Sequence, residues 1–67
     1  MSDKRLRLRK LIEYWAEHND EHSARFEESA REATEMELVE VANNFRAAAE
    51  KGAQVSKHLR KAIEYIE

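Results

Sequence analysis

The chain has no cysteine, no proline and one glycine, Gly52, in 67 residues. Lacking cysteine, it has no disulfide, no thiolate nucleophile and no thiolate ligand for zinc or an iron–sulfur cluster. Lacking proline and nearly lacking glycine, it has none of the punctuation that strand-and-turn folds require. Aromatic residues are few: Tyr14, Trp15, Phe26, Phe45 and Tyr65. No purely apolar run is longer than three residues, far short of the roughly 18 that a membrane-spanning helix needs. The basic start Met1-Ser2-Asp3-Lys4-Arg5 is not followed by an apolar segment, so no secretory leader is expected and the expected location is cytoplasmic.

What remains is 42% apolar and 39% charged. Ten of the 28 apolar residues are alanine, which leaves 18 large apolar side chains for a core. A domain this small buries little surface and gains security from disulfides, metal or oligomerisation. The first of these is excluded. The net charge of −2 argues against nucleic-acid binding. It also conceals an uneven layout: residues 1–10 sum to +4, residues 11–50 to −8 and residues 51–67 to +2.

Abundant Ala, Glu, Arg, Lys and Leu predict an all-α fold. Leu8, Leu11, Ile12, Trp15, His18 or Asn19, His22, Phe26, Ala30 and Ala33 recur at steps of three and four. So do Leu38, Val41, Ala42, Phe45, Ala48, Ala49, Gly52, Val55, Leu59, Ala62, Ile63 and Ile66. Each series is one face of an amphipathic helix. Thr34-Glu35-Met36-Glu37 fits a capping box, and Ser2 or Asp3 would cap the first helix.

The expected domain is therefore single: helix one over about 3–32, a turn at about 33–35, and helix two over about 35–66. A turn this short makes the helices antiparallel, with facing residue numbers summing to about 67. Trp15 then lies opposite Gly52, Phe26 opposite Val41 or Ala42, and Leu8 opposite Leu59. Packing under an indole would offset the cost of a mid-helix glycine. The other reading of Gly52 is a break, with a third helix starting near Ala53 or Val55 and a compact three-helix bundle as the result. Asn19-Asp20, two poor helix formers, could likewise mark a kink.

A two-helix hairpin cannot enclose a core, so the apolar stripes call for a partner. The simplest partner is a second copy, giving a homodimeric four-helix bundle. Leu8, Ile12, Trp15, Phe26, Val41, Phe45, Gly52, Val55, Leu59 and Ile63 are the expected core and interface residues. In the hairpin, eight of the twelve basic residues gather at the open end, and Glu27, Glu28, Glu32, Glu35, Glu37 and Glu40 gather at the loop. Helix dipoles account for this in helix two but are violated in helix one. An antiparallel dimer would match each basic end with the partner's acidic loop.

The segment richest in chemistry is Trp15-Ala16-Glu17-His18-Asn19-Asp20-Glu21-His22. His18 and His22, four apart on a helix, point the same way and could chelate one transition metal such as nickel or zinc, with Glu21 adding a carboxylate. The alternative is structural: His22 packing near Phe45 and Arg46, and His18 near Ala49 and Glu50. Metalloenzyme patterns are not met. A zincin helix needs Glu after the first His, where Asn19 stands. Di-iron bundles need Glu three residues before His, where Trp15, Asn19 and Val55 stand. No catalytic constellation can be assembled, so no enzymatic activity is expected. Leu6, Leu8 and Leu11 interleave with Arg5, Arg7, Arg9 and Lys10 as in a membrane-surface helix, but no aromatic residue lies among them.

Trp15, His18, Asn19 and His22, with Phe26 following, resemble the W-x-x-H-N-x-x-H opening of a small helical domain of unknown function. That domain occurs in archaea and bacteria, alone or appended to CooT-like nickel-binding proteins. The resemblance covers roughly residues 11–66. It implies a link with nickel handling in which His18 and His22 carry over, and in which Asn19 fixes a histidine ring or a backbone bend. Together these readings predict a self-associating helical interaction module, or else a transition-metal binding or trafficking accessory.

Overall fold

A computed structural model describes residues 3–66. Among them are two α-helices and no strand: α1, Asp3–Glu35, and α2, Val39–Ile63. They pack antiparallel as a slender hairpin with Cα extents of 52 × 14 × 10 Å. Ser2, a candidate cap for α1, lies outside the described residues, and Asp3 is already helical.

The connection differs from the capping box that Thr34 and Glu37 suggest. The Thr34 hydroxyl donates back to the Ala30 carbonyl at 2.9 Å and accepts from Arg46 Nη2 at 3.0 Å. Helix α1 therefore continues to Glu35, and the turn falls at 36–38, about three residues later than the sequence predicts. It closes as a Schellman motif. The Leu38 N–H donates to the Ala33 carbonyl, the Glu37 N–H donates to the Thr34 carbonyl, and Glu37 takes the left-handed conformation at φ 63°. Leu38 precedes α2 without any side-chain cap. At the far end, α2 tightens into 3₁₀-type bonds, with the Glu64, Tyr65 and Ile66 amides donating to Lys61, Ala62 and Ile63.

The later turn shifts the register between the helices. Phe26 meets Phe45, not Val41 or Ala42, with ring centroids 6.4 Å apart. Gly52 does not lie under Trp15. It faces Ser23 and Asn19, and a Cβ at position 52 would overlap the Ser23 hydroxyl. Helix α2 runs unbroken through Gly52, which removes the three-helix alternative, and α1 runs unbroken through Asn19-Asp20.

The seam between the helices is built from small residues. Ala16, Ala30 and Ala33 of α1 and Ala42, Ala49, Gly52 and Ser56 of α2 are buried, and among the described residues Ile12 is the only large apolar side chain buried with them. Small side chains let the helix axes approach, which brings backbone carbonyls within reach of the opposite helix. Asn19 Nδ2 donates to the Gly52 carbonyl at 2.5 Å and to Ser56 Oγ at 2.9 Å, while Ser56 Oγ donates to the Ala16 carbonyl at 3.2 Å. These bonds lock the register, because a slip of either helix would leave buried polar groups unpaired. This is why two poor helix formers stand in mid-α1: Asn19 ties the helices together, and Asp20 pairs with Arg60 at 2.7 Å on the rim.

A seam of alanines leaves the larger apolar residues outside. Of the ten expected core positions, Ile12 and Gly52 are buried, Phe26, Phe45, Leu59 and Ile63 are half-buried, and Leu8, Trp15, Val41 and Val55 are exposed. The heptad-spaced stripes are real, but they do not bury one another.

Candidate functional site

The two stripes flank the seam on one side of the hairpin and form an open face. Its centre is a groove of about 330 Å³ lined by Trp15, His18, Asn19 and His22 from α1 and by Val55 and Leu59 from α2. Nearer the loop, Val41, Phe45 and Ala48 line a second apolar groove with Glu40 and Asn44. Trp15 is 49% exposed, and Leu8, Leu11 and Val55 are comparably open.

An aromatic file runs along α1 at i, i+4 spacing. Tyr14 stacks on His18 with centroids 5.7 Å apart, His18 meets His22 edge to face at 4.5 Å, and His22 stacks on Phe26 at 6.3 Å. Phe26 then passes the file across to Phe45 of α2. His22 thus packs on Phe26 instead of on Phe45 and Arg46, and His18 lies with Val55 and Leu59 instead of with Ala49 and Glu50.

The two imidazoles converge, with His18 Nε2 and His22 Nε2 3.1 Å apart and exposed. At that separation one ring donates its Nε2–H to the lone pair of the other. Glu21 does not join them: among the described residues no group of three or more His, Asp or Glu side chains is placed to hold a metal ion. Asn19, which the family resemblance casts as a holder of a histidine ring or a backbone bend, spends both amide hydrogens on Gly52 and Ser56 across the seam. Among the described residues the two imidazoles therefore converge as a pair with no carboxylate or third imidazole grouped with them.

Electrostatics add a directional element. Asp3 is the only acid in the first turn of α1 and its last turn has no base, whereas α2 has Glu40 at its start and Arg60 and Lys61 at its end. The face accordingly runs from a basic open end to an acidic loop. On the rim, the Arg60 guanidinium hydrogen-bonded to Asp20 holds that carboxyl below its ordinary value.

Comparison with known proteins places these residues in a family. Residues 8–66 match the family model described as domain of unknown function (DUF8180). The chain belongs to this family. The DUF8180 match takes in α1 from Leu8 onward, all of α2, the small-residue seam and the histidine pair. An uncharacterized protein from Archaeoglobus fulgidus is 38% identical to the DUF8180 chain over 60 residues, covering 90% of this chain and 95% of the relative. No solved structure matches. Among the described residues no helix is long and apolar enough to cross a membrane.

Residue-type reasoning missed Ala16, Ser23 and Ser56 as seam residues. The signal that was available is the small-residue stripe Ala16, Ser23, Ala30 on α1 and Ala42, Ala49, Gly52, Ser56 on α2, spaced by three, four or seven. It lies beside the large apolar stripe and is easily absorbed into it.

Proposed function

We propose that the protein is a helical self-association module without catalytic activity of its own, whose open face packs against a second copy to complete a four-helix bundle. The observation that carries this reading is the inside-out distribution of apolar residues. The buried hairpin seam is alanine, glycine and serine with Ile12, while Leu8, Leu11, Trp15, Val41 and Val55 are left exposed. Half-exposed aliphatic and aromatic side chains each gain on the order of 1 kcal/mol when covered. A face with Cα extents of 52 by 14 Å offers roughly 700 Å² per copy, or roughly 1,400 Å² for a pair, the size of a standard stable interface.

Charge selects the orientation. Face-to-face packing about an axis along the helices would place open end on open end, with the bases Lys4, Arg7, Arg9, Lys10, Lys57 and Lys61 repelling their copies. A two-fold axis across the helices, in the plane of the hairpin, reverses one copy end for end. Each basic end then meets the partner's acidic loop, and α1 lies over α1 and α2 over α2. This layout explains why α1 opposes its own dipole, since its charges serve the partner helix.

Sedimentation equilibrium at tens of micromolar tests the reading. The expected mass is twice that of the 7.9 kDa chain. Val55→Lys, which puts a charge in the groove centre without touching the seam, should give a folded monomer, and added salt should weaken the wild-type dimer. A fully helical wild-type monomer at that concentration would refute the proposal.

A further inference from the structure

We infer that His18 and His22 of two antiparallel copies together form one four-imidazole site for a divalent transition cation on the two-fold axis of the dimer. The inference rests on the antiparallel dimer proposed above and deepens it, since each chain alone holds only half of the ligand set.

Three observations lead there. First, the two Nε2 atoms already sit at chelating distance. A cation about 2.05 Å from each of two nitrogens 3.1 Å apart would subtend roughly 98° between them, between the octahedral and tetrahedral angles. The same separation is that of a hydrogen bond, and exchange between the two states needs no net change of protons. The ring that donates its Nε2–H moves that proton to Nδ1, and both Nε2 lone pairs become free to bind the cation.

Second, the pair lies at the one level where a two-fold axis would bring it onto itself. A two-fold axis crossing α1 at position 20, midway between His18 and His22 and one residue from the middle of Asp3–Glu35, does this. In an end-for-end dimer with α1 over α1, His18 faces the partner copy's His22 and His22 faces the partner copy's His18. All four Cα atoms lie within about 3 Å of the axis level, at 1.5 Å rise per residue. No other pair of potential ligands on α1 has this placement on the open face.

Third, the surroundings suit a closed site once a second copy is present. Trp15 and Phe26 flank the pair on either side along α1, and Val55 and Leu59 stand across the groove. In the dimer these would exclude water from the ion on both sides. Four neutral imidazoles with no carboxylate favour borderline cations such as Zn²⁺ over the hard cations Mg²⁺ and Ca²⁺. Cation binding and dimerisation are then linked, each strengthening the other.

The test combines calorimetric titration of Zn²⁺ into the full chain with sedimentation equilibrium with and without Zn²⁺. The expected result is one Zn²⁺ per two chains, a dimer strengthened by the metal, at least 100-fold weaker binding by His22→Ala and by His18→Ala, and unchanged binding by His58→Ala. All three positions are exposed, so circular dichroism should show the same helicity in every variant. A dimer that binds no Zn²⁺ at about 10 µM, binds one per chain, or binds equally well as His22→Ala would overturn the shared site while leaving the dimer standing. A chain that stays monomeric with and without Zn²⁺ would remove the dimer, and the shared site with it.

Discussion

Replacing Ser23 with alanine should stabilise the protein, and it should also convert Gly52→Ala from a change without benefit into a favourable one. The Ser23 hydroxyl is buried and has no hydrogen-bond partner among the described residues. It sits where a side chain at position 52 would begin. Leaving a buried hydroxyl unpaired costs about 1–3 kcal/mol, and alanine is the better helix former by about 0.5 kcal/mol. Against this stands the lost packing of one oxygen atom, so Ser23→Ala should gain about 1–2 kcal/mol. Gly52→Ala alone gains about 1 kcal/mol of helix propensity and loses about as much by forcing the Ser23 side chain to another rotamer. In the double variant the new Cβ at 52 lies 3.4 Å from the Cβ of residue 23, at the edge of ordinary contact. The propensity gain is then realised, with about 1 kcal/mol of coupling between the sites. Urea unfolding followed by circular dichroism, at one fixed protein concentration because the proposed association would add mass action, should place the double variant's midpoint roughly 2 M above wild type. Loss of more than about 1 kcal/mol in Ser23→Ala, or strict additivity of the two changes, would refute the reasoning.

Glu37→Gly should raise stability by about 1 kcal/mol, because glycine adopts the left-handed conformation at this Schellman position without a Cβ penalty; a drop in the urea midpoint would contradict it. Asn19→Ala should cost about 2 kcal/mol by removing two cross-helix donations, and Asn19→Asp should cost more, since it sets a carboxylate oxygen against the Gly52 carbonyl. Equal loss in the two variants would show that the donor assignment is wrong. Arg60 lowers the pKa of Asp20 in the folded state, so this pair's contribution is present above the unfolded carboxyl pKa and is lost as pH falls through the lower folded value. Stability should therefore fall more steeply below about pH 4 in the wild type than in Asp20→Asn, as read from thermal melts across that range.

Most of the architecture was legible in residue spacing. Two stripes at steps of three and four point to amphipathic helices, and a short connection makes them antiparallel, while the doubts at Gly52 and Asn19-Asp20 were removed only by helices that run unbroken through both. The position of the turn was not legible. Thr34 and Glu37 read as the start of α2, yet Thr34 closes α1 and Glu37 occupies a left-handed position that glycine normally marks. That three-residue displacement carried the whole register with it and separated Trp15 from Gly52.

The histidine spacing was equally plain, and it correctly placed two imidazoles on one side of one helix. Their nitrogen separation, the absence of Glu21 from their company and the commitment of Asn19 to the seam depend on side-chain directions that a linear pattern does not contain.

By itself, then, the sequence determined that the chain is helical, that its helices are amphipathic and that its charge is lopsided, since each depends on local propensity and on periodicity along one helix; the unbroken run of α2 through Gly52 set the number of helices at two. Tertiary structure alone decided which of two adjacent stripes closes the hairpin. Small residues allow the axes close enough for Asn19 and Ser56 to reach backbone across the seam. With that seam closed, the larger apolar side chains are left facing outward, and the histidine pair lines the groove among them.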